Sequence, residues 1–258
     1  MCTIGAVRFS TTEYLLFKNK DFSRSHYDDK ILHTQHLWGA AGLETFSEDP
    51  GVKDVHSGLS IGANHFGLLV TDAHVQNTGP ENSNYDILVE IALNEGRDIP
   101  SALTAMERHI AKHPSWWGNL VLADANGLAV AEIRHDQLRT LSGHTPIIRT
   151  NHQHLHGPQN GLENNSSNSL GRYIWAGQHL SGATNLEDIK SMLASHDGTT
   201  LAGEKSGICN HSYSQTVSSY ILHVKAGEIT LHSLSGTPCL AKDQYSTTAL
   251  FQPHEVSP

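Results

Sequence analysis

Cationic residues are scarce: 17 Lys and Arg stand against 26 Asp and Glu, a formal charge of −9 over 258 residues with 19 neutral histidines. They cluster no more tightly than Lys18/Lys20 or Arg134/Arg139. The basic face that phosphate neutralisation requires is missing, which excludes nucleic acid as a partner. Long apolar runs are absent too. Leu68-Leu69-Val70 and Ile87 to Leu93 stop well short of the roughly 20 residues that span a bilayer, so no membrane association is expected. The opening run from Met1 to Phe9 is too short for a signal peptide, and Glu13 follows closely; a cytoplasmic protein is expected. Cysteine is rare. Cys2, Cys209 and Cys239 make neither an even disulfide framework nor a C-x-x-C knuckle, which suits a reducing compartment and gives no metal site. Nothing repeats at a solenoid period or has linker composition, so one domain over residues 1–258 is expected.

What is present is hydrophobic periodicity. Thr3 to Phe9 and Glu13 to Phe17 read as a β-hairpin with Cys2 at the open end of its first strand. The second strand runs into Lys18-Asn19-Lys20-Asp21, and residues 43–57 and 76–84 read as loops. Strands are predicted at 59–62 and 66–71. The period then changes from two to 3.6, giving helices from Tyr85 to a stop at Gly96 and from Pro100 to Ile110. A hairpin at 119–123 and 127–133, strands at 137–141 and 146–150, helices at 167–180 and 186–193, and strands at 216–224 and 228–234 complete the chain. Two blocks of strands and helices in this order predict a layered α+β fold, two sheets face to face with helices outside.

Cys2 carries the most distinctive chemistry. Removal of Met1 leaves a residue with both a thiol and a free α-amine. That amine, with a reference pKa of about 7.7–8.0, can accept the thiol proton near neutral pH. Nucleophile and base then share one residue. Read on its own, however, Cys2 is first of all a small apolar residue following the initiator.

The chain resembles the N-terminal nucleophile hydrolases of the acyl-CoA:6-aminopenicillanic acid acyltransferase type, relatives of choloylglycine hydrolase/penicillin V acylase and of secernin-like dipeptidases. Met1-Cys2-Thr3 matches a mature start of that group. Leu16 to Asp21 is similar to its strand ending in R/K-N-x-D, and Gly62-Ala63-Asn64-His65-Phe66-Gly67-Leu68 to its G-x-N-E-x-G-L turn. Asn119 to Gly127 looks like the central hairpin, Arg149-Thr150-Asn151-His152 the T-N-H element, and Ser166-Ser167 through Arg172 the start of the following helix. Ser206 to His211, Thr216 to Ser219 and Gly236-Thr237-Pro238-Cys239 are similar to the acyltransferase C-terminus.

The resemblance implies an αββα four-layer sandwich of two mainly antiparallel sheets. It implies Cys2 as nucleophile, Asp21 as acceptor of the α-amine hydrogen bond, Asn151 as oxyanion donor and Arg172 as a holder of charge beside the nucleophile. Lys18 and His74 are the expected substrate contacts. Without the resemblance, Asp21 reads as a turn carboxylate, Asn151 as a cap at a strand end and Arg172 as a helix-surface arginine. Four positions depart from the pattern. Lys18 stands where choloylglycine hydrolases have Arg, which turns a bidentate contact into a point charge. Asp72-Ala73-His74 holds no counterpart of their second asparagine, His65 replaces a Glu, and no arginine stands near Ser214-Gln215-Thr216.

The expected activity is therefore hydrolysis of a linear, non-peptide amide through a Cys2 acyl-enzyme, with acyl transfer from a thioester or amide to an amine as the alternative. Activation would need only removal of Met1. No cofactor is expected. The partner is a small acyl amide or thioester, and a homo-oligomer is left open. Phe22, Tyr27 and Trp38 are candidates for lining an acyl pocket, and Trp116-Trp117 for packing between helix and sheet. The rival from another class is a non-catalytic metal-binding protein using His152, His154 and His156, whose alternation on extended chain projects them to one side.

Overall fold

A computed structural model of the chain describes residues 2–23, 29–45, 49, 51–76, 83–157, 166–196, 207–211 and 214–251. Strands β1 (Cys2–Arg8), β2 (Glu13–Phe22), β3 (Ile31–His33), β4 (Leu37–Leu43), β5 (His56–Asn64) and β6 (Leu69–His74) come first, followed by α1 (Asp86–Glu95) and α2 (Ile99–Ile110). Next are β7 (Ser115–Ala123), β8 (Leu128–His135), β9 (Gln137–Gly143), β10 (Ile147–Arg149), α3 (Ser166–Gly182) and α4 (Leu186–Leu193). The described chain closes with β11 (Gln215–Lys225), β12 (Glu228–Ser235), α5 (Pro238–Ala241) and β13 (Ser246–Ala249). One sheet has the order β10-β1-β2-β11-β12-β13 and the other β3-β4-β5-β6-β7-β8-β9. All their pairings are antiparallel.

The alternation of side chains along each strand builds the layers. Ile4, Ala6, Tyr14, Leu16, Tyr220 and Leu222 of the first sheet meet Trp38, Ile61, Leu69 and Val121 of the second in a core between the sheets. The intervening residues Val7, Leu15, Phe17 and Ile221 face outward under Ala176 and Leu180 of α3 and Ile189 and Leu193 of α4. On the far side, Leu120, Leu122, Ala129 and Ala131 lie under Leu88 and Val89 of α1 and Ala102 and Met106 of α2. Three apolar layers separate four structural ones, the αββα sandwich expected from the sequence.

The helices begin and end as their sequences dictate. Asp98 caps α2 by accepting from the Ser101 amide (3.0 Å), with Pro100 in the first turn, and Gly96 closes α1 with a bond to the Ala92 carbonyl. Several expectations are corrected. β2 continues through Phe22, so Lys18 to Asp21 belong to the strand and not to a turn beyond it. Such polar residues are retained in a buried strand because each side chain meets a partner. β6 begins at Leu69, after a turn closed by Asn64, whose Oδ1 accepts from Phe66 (3.1 Å) and Leu68 (3.2 Å). Trp116 and Trp117 lie within β7, and the Trp117 indole stacks under Arg134 and donates to His135 (3.1 Å). Trp38 sits in the inter-sheet core against Tyr220. Tyr27 lies outside the described residues, as do residues 77–82 of the second expected loop.

Candidate active site

Cys2 opens β1, an interior strand hydrogen-bonded on one side to β2, where it registers with Lys20, and on the other to β10. It belongs to the inter-sheet core and is 9% exposed. Its backbone is clamped from both directions. The Cys2 amide donates to Asn151 Oδ1 (3.1 Å), and its carbonyl accepts from Arg172 Nη1 (2.6 Å). Arg172 is buried on α3; its guanidinium also reaches Thr3 Oγ1 (2.9 Å), Asn151 Oδ1 (2.7 Å) and Asn168 Oδ1 (2.8 Å). The fixed fork of donors suits arginine at this place. Asn151 Nδ2 spends one hydrogen on the His74 carbonyl (2.7 Å), leaving its second amide hydrogen for another acceptor. Ser169 accepts from the Asn151 amide (2.8 Å), and Asn119 Nδ2 holds the carbonyls of Thr150 (2.9 Å) and His152 (2.8 Å).

A cavity of about 390 Å³ opens beside Cys2, lined among others by Lys18, Asp21, Phe22, Asp72, His74 and Asp86. A larger groove of about 820 Å³ between β9, β10 and α3 has no lining from these residues. The floor of the Cys2 cavity is ionic. Lys18 Nζ donates to Asp72 Oδ1 (2.7 Å), the Asp72 carbonyl (2.8 Å) and the Ser60 carbonyl (3.0 Å), both charged side chains being buried. Burial opposes the Lys18 charge, yet Asp72 and Cys2 hold its pKa above the ordinary lysine value. Asp86 is pushed well above the ordinary carboxyl value by burial and by the charge of Asp72 beside it. Its Oδ2 also accepts from Leu43 N (2.9 Å) and Ser57 Oγ (3.3 Å), and a Cβ on Gly42 would overlap that carboxyl.

Lys20 pairs with Asp29, whose Oδ2 accepts from Ser218 (3.0 Å) and Tyr220 (2.5 Å). Asp21 is raised above the ordinary carboxyl value by burial, against the pull of the N-terminal charge, Arg172, Thr216 and Asn210; Thr216 Oγ1 donates to it at 2.7 Å. Burial, seconded by the N-terminal charge, lowers His74 to about 4, so its ring is neutral at pH 7.

The structure thus gathers Cys2, Asp21, Lys18 and His74 around one cavity, with Asn151 and Arg172 behind Cys2. Lys18 has all three N–H donors committed to Ser60 and Asp72, so it shapes the cavity electrostatically and has no donor to spare for a substrate. The Cys2 amide hydrogen goes to Asn151, while Asp21 is tied to Thr216 and Asn210. Arg172 holds backbone, hydroxyl and amide oxygens of the Cys2 surroundings. Sequence reasoning missed Asp86, Thr216 and Asn210; an Asp at a helix start and a polar pair beside a strand carry no local signal of a shared site. Of the alternating histidines, His152 and His154 pack on each other and on Tyr173, His152 Nδ1 lies on Ser169 Oγ (2.8 Å), and His156 Nε2 meets the Glu132 carbonyl (2.9 Å).

A cysteine leading an interior strand of an αββα sandwich, with its backbone clamped at the mouth of a cavity, is the architecture of the N-terminal nucleophile hydrolases. The family model for acyl-coenzyme A:6-aminopenicillanic acid acyl-transferase matches residues 9–232, and the chain belongs to that family. Among solved structures, a mutant conjugated bile acid hydrolase from Clostridium perfringens matches with a TM-score of 0.57 and 11% identity, covering 100% of both chains. The N-acylethanolamine-hydrolyzing acid amidase ortholog of Caenorhabditis elegans matches with a TM-score of 0.50 and 13% identity, covering 86% of this chain and 92% of its own. At those identities the likeness is one of fold. No curated protein sequence matches the chain.

Proposed function

We propose that the chain is an N-terminal cysteine amidohydrolase that cleaves a linear amide through a Cys2 acyl-enzyme. The observation that carries the reading is the double clamp on Cys2, amide nitrogen to Asn151 and carbonyl to Arg172, at the edge of a cavity of about 390 Å³. That volume falls in the range of small-molecule sites. With Met1 removed, the Cys2 nitrogen becomes an α-amine held by Asn151, with Asp21 across the same cavity. The amine takes the thiol proton as sulfur attacks the amide carbon. The free hydrogen of Asn151 Nδ2 meets the developing oxyanion. Collapse breaks the C–N bond, the ammonium returns its proton to the departing amine, and water, deprotonated by the same amine, releases the acid from the thioester.

A second reading, acyl transfer, is supported by the family match itself: an amine in place of water would take the acyl group from the same thioester. The test is intact-mass spectrometry before and after limiting iodoacetamide, joined to turnover of N-acyl amides. A chain lacking Met1, alkylated first at Cys2 and inactive as Cys2→Ala is expected. Full activity in a population retaining Met1, or in Cys2→Ala, would sink the mechanism. Added amines that divert product from acid to amide would favour transfer.

A further inference from the structure

Away from the Cys2 cavity, four ligating side chains converge from three stretches of chain. His196 follows α4, Cys209 and His211 lie in the segment before β11, and Cys239 is in α5. Their ligand atoms all lie within 4.8 Å of one another, and among the described residues no other group of His, Cys, Asp and Glu does this. His211 Nε2 stands 3.6 Å from Cys209 Sγ and 3.0 Å from Cys239 Sγ, and its ring stacks on His196 with centroids 5.0 Å apart.

A tetrahedral ion with Zn–S near 2.3 Å and Zn–N near 2.0–2.1 Å separates neighbouring sulfur and nitrogen ligands by about 3.6 Å. One contact already has that length, and the other needs to open by about half an ångström to reach it. Two thiolates and two imidazoles in a tetrahedron are the donor set of structural zinc, and four protein ligands leave no open position.

Backbone bonds that do not depend on an ion bring the ligands together. Cys209 N donates to the Ser195 carbonyl (3.0 Å), Thr216 N to the Asn210 carbonyl (2.9 Å), and Gly236 N to the Val217 carbonyl (2.7 Å). We propose that His196, Cys209, His211 and Cys239 bind one Zn²⁺ and so fasten the 207–211 segment and α5 to the end of α4. Binding replaces two S–H bonds by two Zn–S bonds and releases two protons to solvent, while each histidine contributes a neutral ring nitrogen. No electrons are transferred, and the loaded site is electrically neutral. Asn210, between two of the ligands, bonds to Asp21, so the ion fixes a segment that supports the cavity without touching substrate. A Cys209–Cys239 disulfide is the competing use of these sulfurs. It would need an oxidant and would leave both imidazoles idle beside it.

The test is metal analysis of the full-length reduced protein after dialysis, followed by Co²⁺ substitution. We expect one zinc retained per chain, intense visible Co²⁺ bands of tetrahedral geometry and a sulfur-to-cobalt charge-transfer band. Both signals should persist in Cys2→Ala and in His152→Gln, and be lost in Cys209→Ser and Cys239→Ser. His196→Gln, which retains both thiols, should weaken metal retention at least tenfold and covers the case in which a cysteine variant fails to fold. Failure of the reduced wild-type chain to bind Zn²⁺ or Co²⁺, a mass two hydrogens light that maps to a 209–239 disulfide in protein purified under reducing conditions, or unchanged binding in His196→Gln would overturn the proposal.

Discussion

Lys18→Met deletes the cation hydrogen-bonded to Asp72 while keeping much of the side-chain volume. Asp72 is then left buried beside a second carboxyl, Asp86. Removing one member of a buried ion pair costs about 3–5 kcal/mol because the remaining charge is uncompensated. The loss should depend on pH. To bury both carboxyls without Lys18, the folded variant must bind one more proton than the folded parent, whereas unfolded carboxyls are ionised above about pH 4. Relative to the parent, the variant therefore gains stability as pH falls, and its deficit shrinks by at most about 1.4 kcal/mol per pH unit. Between pH 7 and pH 5 as much as about 2.7 kcal/mol of the deficit is recovered. Urea unfolding of parent and variant at pH 5, 6 and 7, with equal m-values, measures this. Adding Asp72→Asn to Lys18→Met removes the stranded anion and should restore most of the loss at pH 7. A deficit below about 1 kcal/mol at pH 7, or one constant across the pH range, would refute the account of the Lys18–Asp72–Asp86 group.

Asn151→Ala removes both the proposed oxyanion donor and the acceptor for the Cys2 nitrogen; kcat should fall by about 10²–10³ or more with KM much less affected, in steady-state kinetics on a cleaved amide. Because burial holds His74 near 4 in the folded chain and it returns toward 6.5 on unfolding, the unfolded chain binds more protons between those values. Stability therefore rises with pH across that window, by about 3 kcal/mol for this one ring, and His74→Gln should flatten the rise in urea midpoints measured from pH 4 to 7. Thr216→Val removes the donor to Asp21 and the acceptor for the Asn210 amide. It should cost about 1–3 kcal/mol and lower kcat, and an unchanged urea midpoint would remove Thr216 from the support of Asp21.

The layers were readable because the apolar positions repeat at two different periods. Glu13 to Phe17 was legible as a strand, whose Leu15, Leu16 and Phe17 enter the cores on its two faces, and α4 is found at the residues its pattern predicts. β3, β4 and β13 were not read as strands. Ile31–His33 and Ser246–Ala249 are short and exposed, and β4 contains two glycines within a run of small residues. Their places are set by pairing with neighbours. The site was half legible. Cys2, Asp21, Asn151 and Arg172 are distinctive through their motifs, but what each one bonds to depends on residues up to 195 positions away, as between Asp21 and Thr216.

Lys18 and Asp72 show most clearly how sequence departures acquire meaning in space. Taken singly, Lys in place of Arg loses a bidentate donor, and Asp72-Ala73-His74 lacks an amide. In the fold the two positions face each other at 2.7 Å. A lysine presents a compact charge with three rotatable donors, and two backbone carbonyls and one carboxylate oxygen take all three. An arginine there would bring five donors to a cage built with three acceptors and would strand two of them in a buried place. A lysine without Asp72 would lack an anion to offset its burial. The two substitutions therefore make one compensated unit beneath the Cys2 cavity. Asp86 bears on the same balance: burial and the Asp72 charge both disfavour a second anion there, so its carboxyl is raised beside the pair.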